Sequence, residues 1–221
     1  MSAAVKERPF TKGLVVLMLA LASSVIAWLL IAPPVFLLSD AALEKHRGHF
    51  SFAYAHVFGG TVMLFLGLAN LYIGTTRRFW RYHKAVGISY LLGGALGSLS
   101  AIAISASTAH KAVGSPTFTN ASVSLLGLST AWIIAAAMGY RAARNRRYDS
   151  HRQWMIRSYV LVWSFVFCRL ASRVPSVEDL GGGSAFIWLS WVGPLVLAEV
   201  FLQWNAGSNN SSKPMPLRGT A

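Results

Sequence analysis

Six stretches of mostly apolar residues alternate along the chain with short polar segments. They span residues 13–38, 50–74, 85–108, 121–140, 154–171 and 185–204. The hydrocarbon core of a bilayer is about 30 Å thick and a helix rises about 1.5 Å per residue, so a membrane span needs about 20 apolar residues. The pattern therefore predicts an all-α integral membrane protein built as a bundle of six transmembrane helices.

The first stretch predicts a retained span and not a cleaved signal peptide. Its apolar core is far longer than the ~7–15 residues of a signal sequence, and Pro33-Pro34 and Phe36 follow without a small-residue cleavage site. Residues 1–12 form a short polar lead, and residues 205–221, rich in Asn, Ser, Gly and Pro, predict a disordered tail. No loop is long enough to fold by itself, so residues 13–204 form one transmembrane domain.

Composition agrees with a membrane protein. Of the 221 residues, 54% are hydrophobic and only 12% are charged, and the mean hydropathy is +0.49. A soluble domain is roughly 25% charged, and a disordered protein is poor in apolar residues. These values argue against both classes. The single cysteine, Cys168, excludes a disulfide within one chain.

The positive charge sorts to one side of the predicted bundle. With the N-terminus inside, 15 of the 20 Lys and Arg residues fall on the cytoplasmic side, and the five others are Lys45, Arg47, Lys111, Arg169 and Arg173. This split agrees with the positive-inside rule, so we expect both termini in the cytoplasm and the protein in the cell inner membrane. The expected partners are the lipid bilayer and anionic headgroups at its cytoplasmic face, and not nucleic acid.

Small residues predict which helices lie at the centre. Span three contains Gly93-x-x-x-Gly97, a spacing that lets two helix backbones approach closely, and span two adds Gly59, Gly60 and Gly67. We therefore expect spans two and three to be central. Span one is more uniformly apolar and is expected at the periphery.

Ionisable residues within or beside spans indicate candidate chemistry, because each costs about 2.5–3.5 kcal/mol at the centre of a membrane helix. His56 lies in span two, while His83 and His151 begin spans three and five on the same side of the membrane. A b-type haem in a bundle is held by histidines from facing helices. We expect His83 and His151 to ligate one haem iron, and Arg157 or Arg81 to bind haem propionates. His56 is a third haem-binding candidate, which His110 on the other side can join.

Other observations favour structural roles. Interfacial histidines beside Arg and Lys often contact only headgroups, and span four contains no His, although a cytochrome with one ligand on each of four consecutive helices needs one there. Arg157 and Glu199, at similar depth on spans five and six, predict an ion pair that joins these spans. The chain has no P-loop, nucleophile elbow or HExxH motif, and it predicts no catalytic side chain.

Two motifs resemble those of a known family. Residues 83–90 (HKAVGISY) are similar to an HR-x-x-G-x-x-Y pattern, with Lys84 where Arg is usual, and residues 151–159 (HRQWMIRSY) are similar to HR-x-W-M-I-R-S-Y. Through these motifs residues 50–204 resemble a bacterial and fungal family of predicted membrane proteins that has no agreed activity. A more distant likeness to transmembrane cytochromes b implies haem. The motif residues that correspond here are His83, Gly87, His151, Trp154, Arg157, Arg169 and Glu199, with His56 more loosely.

The sequence thus predicts a multi-pass membrane protein that binds haem b and carries electrons across or within the membrane. If it is an enzyme, it is a haem-dependent oxidoreductase. Two other functions stay open: a non-catalytic scaffold or accessory subunit, in which the cluster locks the bundle, and a small transporter, in which Glu199 and the histidines relay protons. So few spans of such low polarity argue against transport unless the protein forms a homodimer, which the sequence permits.

Overall fold

The computed structural model describes residues 9–31, 48–107, 116–171 and 183–211. Within these ranges the chain forms six long α-helices, one short 3-10 turn at Trp80–Tyr82 and no strand. The helices are α1 (Pro9–Ile31), α2 (Phe50–Thr76), α3 (His83–Ser107), α4 (Pro116–Arg144), α5 (Tyr148–Ala171) and α6 (Gly183–Ser211). The predicted all-α architecture of six helices is confirmed.

Four of the described helices, α3 together with the 3-10 turn before it, form segments that are long and apolar enough to cross a membrane. These segments are Phe50–Thr76, Trp80–Ser107, Asn120–Arg144 and Ala185–Trp204. In α1 the apolar segment that the structure describes is shorter, Met18–Leu29. Helix α5 carries Asp149, Arg152 and Arg157 in its first half, and these charges lower its hydropathy below that of its neighbours.

The helix ends differ from the predicted span ends. Helix α1 starts at Pro9, within the predicted polar lead, because proline is tolerated in a first turn; residues 32–38 of the first predicted span lie outside the described residues. Helix α6 continues to Ser211, into the segment whose composition predicts a disordered tail. Polar residues are compatible with a helix beyond the apolar layer, and residues 205–211 contain no proline. Residues 212–221 lie outside the described residues.

Helices α2 to α5 form a four-helix bundle. Helix α2 packs on α3, α3 on α4, α4 on α5, and α5 back on α2, so α3 and α5 face each other across the diagonal. Helix α1 packs against α2 and α5, while α6 packs against α4 and α5. The core lies among the four central helices, around Tyr90, Trp132 and Leu161. Spans two and three are therefore central and span one is peripheral, as predicted.

The close approach of α2 and α3 depends on glycine. A Cβ atom at Gly59 would lie 2.5 Å from the carbonyl oxygen of Gly93 and 2.9 Å from Cα of Gly97. Backbone atoms on a packed helix cannot move out of the way, so any side chain at position 59 pushes the helices apart. The prediction that Gly93-x-x-x-Gly97 lets two helices approach closely is confirmed.

Large apolar side chains cover the outside of the bundle. Among the most exposed are Leu92 on α3, Leu99 on α3, Leu197 on α6 and Phe201 on α6. Soluble proteins rarely expose continuous apolar surface of this kind, because it is costly in water. Hydrocarbon chains are the matching surroundings for this surface, and the helical backbone satisfies its own hydrogen bonds there.

The α2–α3 and α4–α5 connections lie at the same end of the bundle, which we call the basic end. The Lys and Arg side chains described there are all exposed: Arg77, Arg78, Arg81, Lys84, Arg141, Arg144, Arg146, Arg147 and Arg152. Exposed aromatic rings accompany them, and the guanidinium of Arg77 lies 4.5 Å from the ring centre of Trp80. Basic and aromatic side chains mixed in this way are typical of the membrane–water interface.

Candidate functional site

Two histidines meet at the basic end. His83 is the first residue of α3 and His151 lies in the first turn of α5, and their ring centroids are 6.3 Å apart with the ring planes at 85°. Since α3 and α5 face each other diagonally, this contact spans the interior of the bundle. The structure thus brings together the two residues that the sequence proposes as ligands of one iron.

The His83 ring is held by an aromatic neighbour and faces a glycine. It stacks on Trp80, with centroids 4.6 Å apart and planes at 10°. Across the helix interface it faces Gly74 of α2, where a Cβ atom would lie 3.5 Å from Cε1 of His83. Nδ1 of His83 is buried and has no hydrogen-bond partner among the described residues. A buried polar atom that stays unpaired costs about 1–3 kcal/mol.

The His151 ring is oriented by a backbone carbonyl. Its Nδ1 lies 2.8 Å from the carbonyl oxygen of Gly139 in α4. A carbonyl oxygen only accepts hydrogen bonds, so Nδ1 carries the proton and the neutral ring has its lone pair on Nε2. A bond of this kind from the far ring nitrogen is the usual way in which a metal-binding histidine is oriented.

His56 lies toward the opposite end of the bundle. It is separated from Gly74, the neighbour of His83, by about 27 Å along α2. Its Nδ1 lies 2.8 Å from the carbonyl oxygen of Gly97, and its ring packs edge-on against Phe165 with centroids 4.8 Å apart. It lines a cavity of about 20 Å³ with Trp132 and other residues of α3 to α5. That volume suits a single water molecule, and the structure does not bring His56 to the His83–His151 pair.

Arg157 and Glu199 form an ion pair between α5 and α6. Nε of Arg157 donates to Oε2 of Glu199 at 2.8 Å, and a terminal guanidinium nitrogen lies 2.6 Å from the same oxygen. Gln203 donates to the other carboxylate oxygen at 2.8 Å, and the guanidinium lies 4.9 Å from the ring centre of Trp154. These contacts turn Arg157 toward α6 and not toward the two histidines. The side chain of Arg169 lies outside the described residues.

A second contact spans the same diagonal deeper in the bundle. The hydroxyl of Tyr90 lies 3.0 Å from Oγ of Ser158, and Nε1 of Trp132 donates to the Tyr90 hydroxyl at 3.3 Å. Tyr90 follows His83 by seven residues and Ser158 follows His151 by seven, which is about two helical turns in each case. The shared spacing of seven within the two motifs is the sequence signal that points to this second layer.

Asn70 of α2 is a further polar residue beside the site. Its side chain is only 8% exposed and lies against Gly87, where a Cβ atom would be 3.1 Å from Nδ2 of Asn70. Its Oδ1 is buried and has no partner among the described residues. A search for ionisable residues passes over Asn70 because it is neutral. The signal that reveals it is a lone amide within the apolar run LGLANLYIG, since an amide is costly in lipid.

The donor set limits the metals that could bind. Among the described residues, no group of three or more His, Cys, Asp or Glu side chains is placed to hold an ion. A zinc site takes three or four protein ligands. A haem iron needs only axial ligands from the protein, because the porphyrin supplies the rest.

A comparison with known protein families identifies the family of this chain. Residues 53–202 match the family described as "Predicted membrane protein (DUF2306)". The match covers more than half of the chain, so the protein belongs to this family, and the resemblance inferred from the sequence is confirmed at that level. No curated protein and no solved structure matches the chain.

Proposed function

We propose that this member of the family binds one haem b between His83 and His151 and carries electrons at the basic end of the bundle. The observation that carries the proposal is the 6.3 Å separation of two imidazole rings from diagonally facing helices. An imidazole nitrogen binds a transition metal at about 2.0–2.1 Å, so two rings that share one metal ion have centres about 6 Å apart.

The surroundings of both rings support axial ligation. The bond between Nδ1 of His151 and the Gly139 carbonyl leaves the lone pair of Nε2 available to a metal. Stacking on Trp80 holds the plane of His83. When bound, haem b supplies one-electron chemistry. The protein orients the two ligands, and the contact between Tyr90 and Ser158 bounds the site on its inner side.

We propose that a propionate binds at the basic end and not at Arg157. Arg157 already has a carboxylate partner in Glu199. Arg77 follows α2 directly and its guanidinium stacks on Trp80, the ring that also holds His83. We therefore propose Arg77 as the partner of a propionate, through charge-assisted hydrogen bonds.

The basic end also supports a proposal for topology. Its exposed Lys and Arg side chains and its interfacial aromatic rings suit anionic lipid headgroups. We propose that this end faces the cytoplasm in a cell inner membrane. The expected homodimer stays a prediction.

A non-catalytic scaffold is the second candidate function. It is favoured by the histidine–carbonyl bonds, because His151 joins α5 to α4 and His56 joins α2 to α3. In that case both bonds serve only to lock the bundle. Proton-linked transport through Glu199 has less support, because this carboxylate is paired with Arg157 between α5 and the peripheral α6.

An oxidised-minus-reduced absorption spectrum of the detergent-purified full chain tests the proposal, with haem supplied during expression. We expect a sharp reduced α band of the b type that is lost in His83→Ala and in His151→Ala. His49→Ala, which removes the histidine preceding α2 at the other end of the bundle, is the matched control and keeps the band. A wild-type spectrum without the band supports the scaffold instead, and a band that survives both substitutions shows that other residues hold the haem.

A further inference from the structure

Two buried side-chain atoms near the basic end lack hydrogen-bond partners. They are Nδ1 of His83 and Oδ1 of Asn70, and they are the two such atoms within the described ranges. Native proteins leave few buried polar groups unpaired, because each costs about 1–3 kcal/mol. Two of them in one helix interface call for a common explanation.

The register of α2 and α3 places these two side chains in adjacent turns. His83 faces Gly74, and Asn70 faces Gly87. Asn70 precedes Gly74 by four residues on α2, and Gly87 follows His83 by four residues on α3. One side chain therefore lies about one turn, about 5.4 Å, below the other along the interface. Each polar side chain faces a glycine, so no opposing side chain fills the space beside it.

A single water molecule bridges polar groups that lie about one helical turn apart. Each of its hydrogen bonds spans about 2.7–3.0 Å, and buried waters typically bridge polar groups that would otherwise be unpaired. The oxygen of an amide only accepts hydrogen bonds, so the water donates to Oδ1 of Asn70. The oxygen of the water is then available to accept a hydrogen bond from the Nδ1–H group of His83.

We propose that an internal water bridges Nδ1 of His83 and Oδ1 of Asn70, and that Asn70 is a positioning residue for the His83 ring. Through the bridge, Nδ1 of His83 donates a hydrogen bond, as Nδ1 of His151 does to the Gly139 carbonyl. In both rings Nε2 is then available to a metal. The bridge itself does not depend on a cofactor. The positioning role deepens the proposed function and rests on it.

The bridge is tested in the haem-free full chain by a double-mutant cycle. Asn70→Leu, His83→Phe and the double variant are compared with the wild type by thermal unfolding in detergent. If a water joins the two side chains, each single substitution leaves the other group unpaired. The double variant should then lose less stability than the sum of the losses in the two single variants. The control cycle combines His83→Phe with Asn120→Leu on α4, where Asn120 accepts a hydrogen bond from Trp188. In that cycle the stability losses of the two single variants should be additive. Additive losses for Asn70 and His83, or a rise in the melting temperature for Asn70→Leu, overturn the bridge.

The positioning role is tested in the haem-loaded chain. Asn70→Leu is expected to weaken haem binding by about 10–100-fold, as loss of a bond behind a metal ligand does. It should also make the midpoint potential more positive, because His83 loses basicity. Asn70→Asp keeps an acceptor at this place and is expected to restore binding. Unchanged affinity and potential in Asn70→Leu overturn the positioning role. If the wild-type chain binds no haem, the proposed function is wrong. The double-mutant cycle in the haem-free chain still tests whether the water bridge exists.

Discussion

The hydroxyl of Tyr90 lies 3.0 Å from Oγ of Ser158 and joins α3 to α5 across the middle of the bundle. Each of these residues follows a histidine of the candidate site by about two turns on the same helix face. The contact therefore fixes the spacing of the two helices directly beneath His83 and His151. A site made of two diagonal ligands depends on that spacing, and so the buried hydroxyl pair is part of its support.

Removal of the Tyr90 hydroxyl is expected to destabilise the bundle. Tyr90 is 1% exposed, and Tyr90→Phe leaves Nε1 of Trp132 without its acceptor. Ser158 loses one of its two hydrogen bonds and keeps the one to the Met155 carbonyl. We expect a loss of about 1–3 kcal/mol in the free energy of unfolding, seen as a lower melting temperature in detergent. The exposed Tyr140 gives the matched control, Tyr140→Phe, with no comparable change. Equal melting temperatures for Tyr90→Phe and the wild type contradict this role.

Two neighbouring glycines of α2 are expected to respond differently to the same substitution. Gly59→Ala places a Cβ atom 2.5 Å from the Gly93 carbonyl oxygen, so α2 and α3 must separate. Such overpacking costs about 1–3 kcal/mol. Gly60→Ala meets nothing within 4 Å and gains helix propensity. Thermal unfolding of both variants checks the packing, and a similar loss in each one would count against it.

The Arg157–Glu199 pair is expected to affect stability and not haem content. Glu199→Leu leaves a guanidinium that is only 14% exposed without its carboxylate. We expect a loss of about 1–2 kcal/mol, below the about 3–5 kcal/mol of a fully buried pair, because Glu199 is 43% exposed. A double variant with Arg157→Met should recover most of it. The haem band should keep its intensity per folded chain in all variants. Loss of the band in Arg157→Met would instead indicate that Arg157 binds a haem propionate.

A change of ligand type tests His151 more finely than its removal. His151→Met replaces an imidazole with a thioether, and methionine as an axial ligand raises the reduction potential of haem. We expect this variant to keep a reduced α band and to show a more positive midpoint potential in a redox titration. Gln153→Met, two residues along the same helix, leaves the potential unchanged. An identical potential for His151→Met and the wild type would show that His151 is not a ligand.

The sequence reveals the elements of this protein better than their contacts. Long apolar runs predict the helices, and because consecutive spans alternate in direction, His83 and His151 must lie on the same side. Glycine spacing predicts the close α2–α3 pair. The rotation of each helix about its axis decides the remaining contacts. The turn of Arg157 toward α6, the Gly139 carbonyl behind His151 and the place of Asn70 opposite Gly87 all depend on that rotation, which a pattern of apolar residues does not determine.

Electron paramagnetic resonance of the oxidised protein, together with the haem content per chain, tests the central claim most directly. If His83 and His151 ligate one iron from opposite corners of the bundle, the spectrum is that of a low-spin haem with two imidazole ligands. The haem content is then one per chain, and the low-spin signal is lost in either alanine variant. A chain that binds no haem, or a low-spin signal that persists without both histidines, would contradict the account.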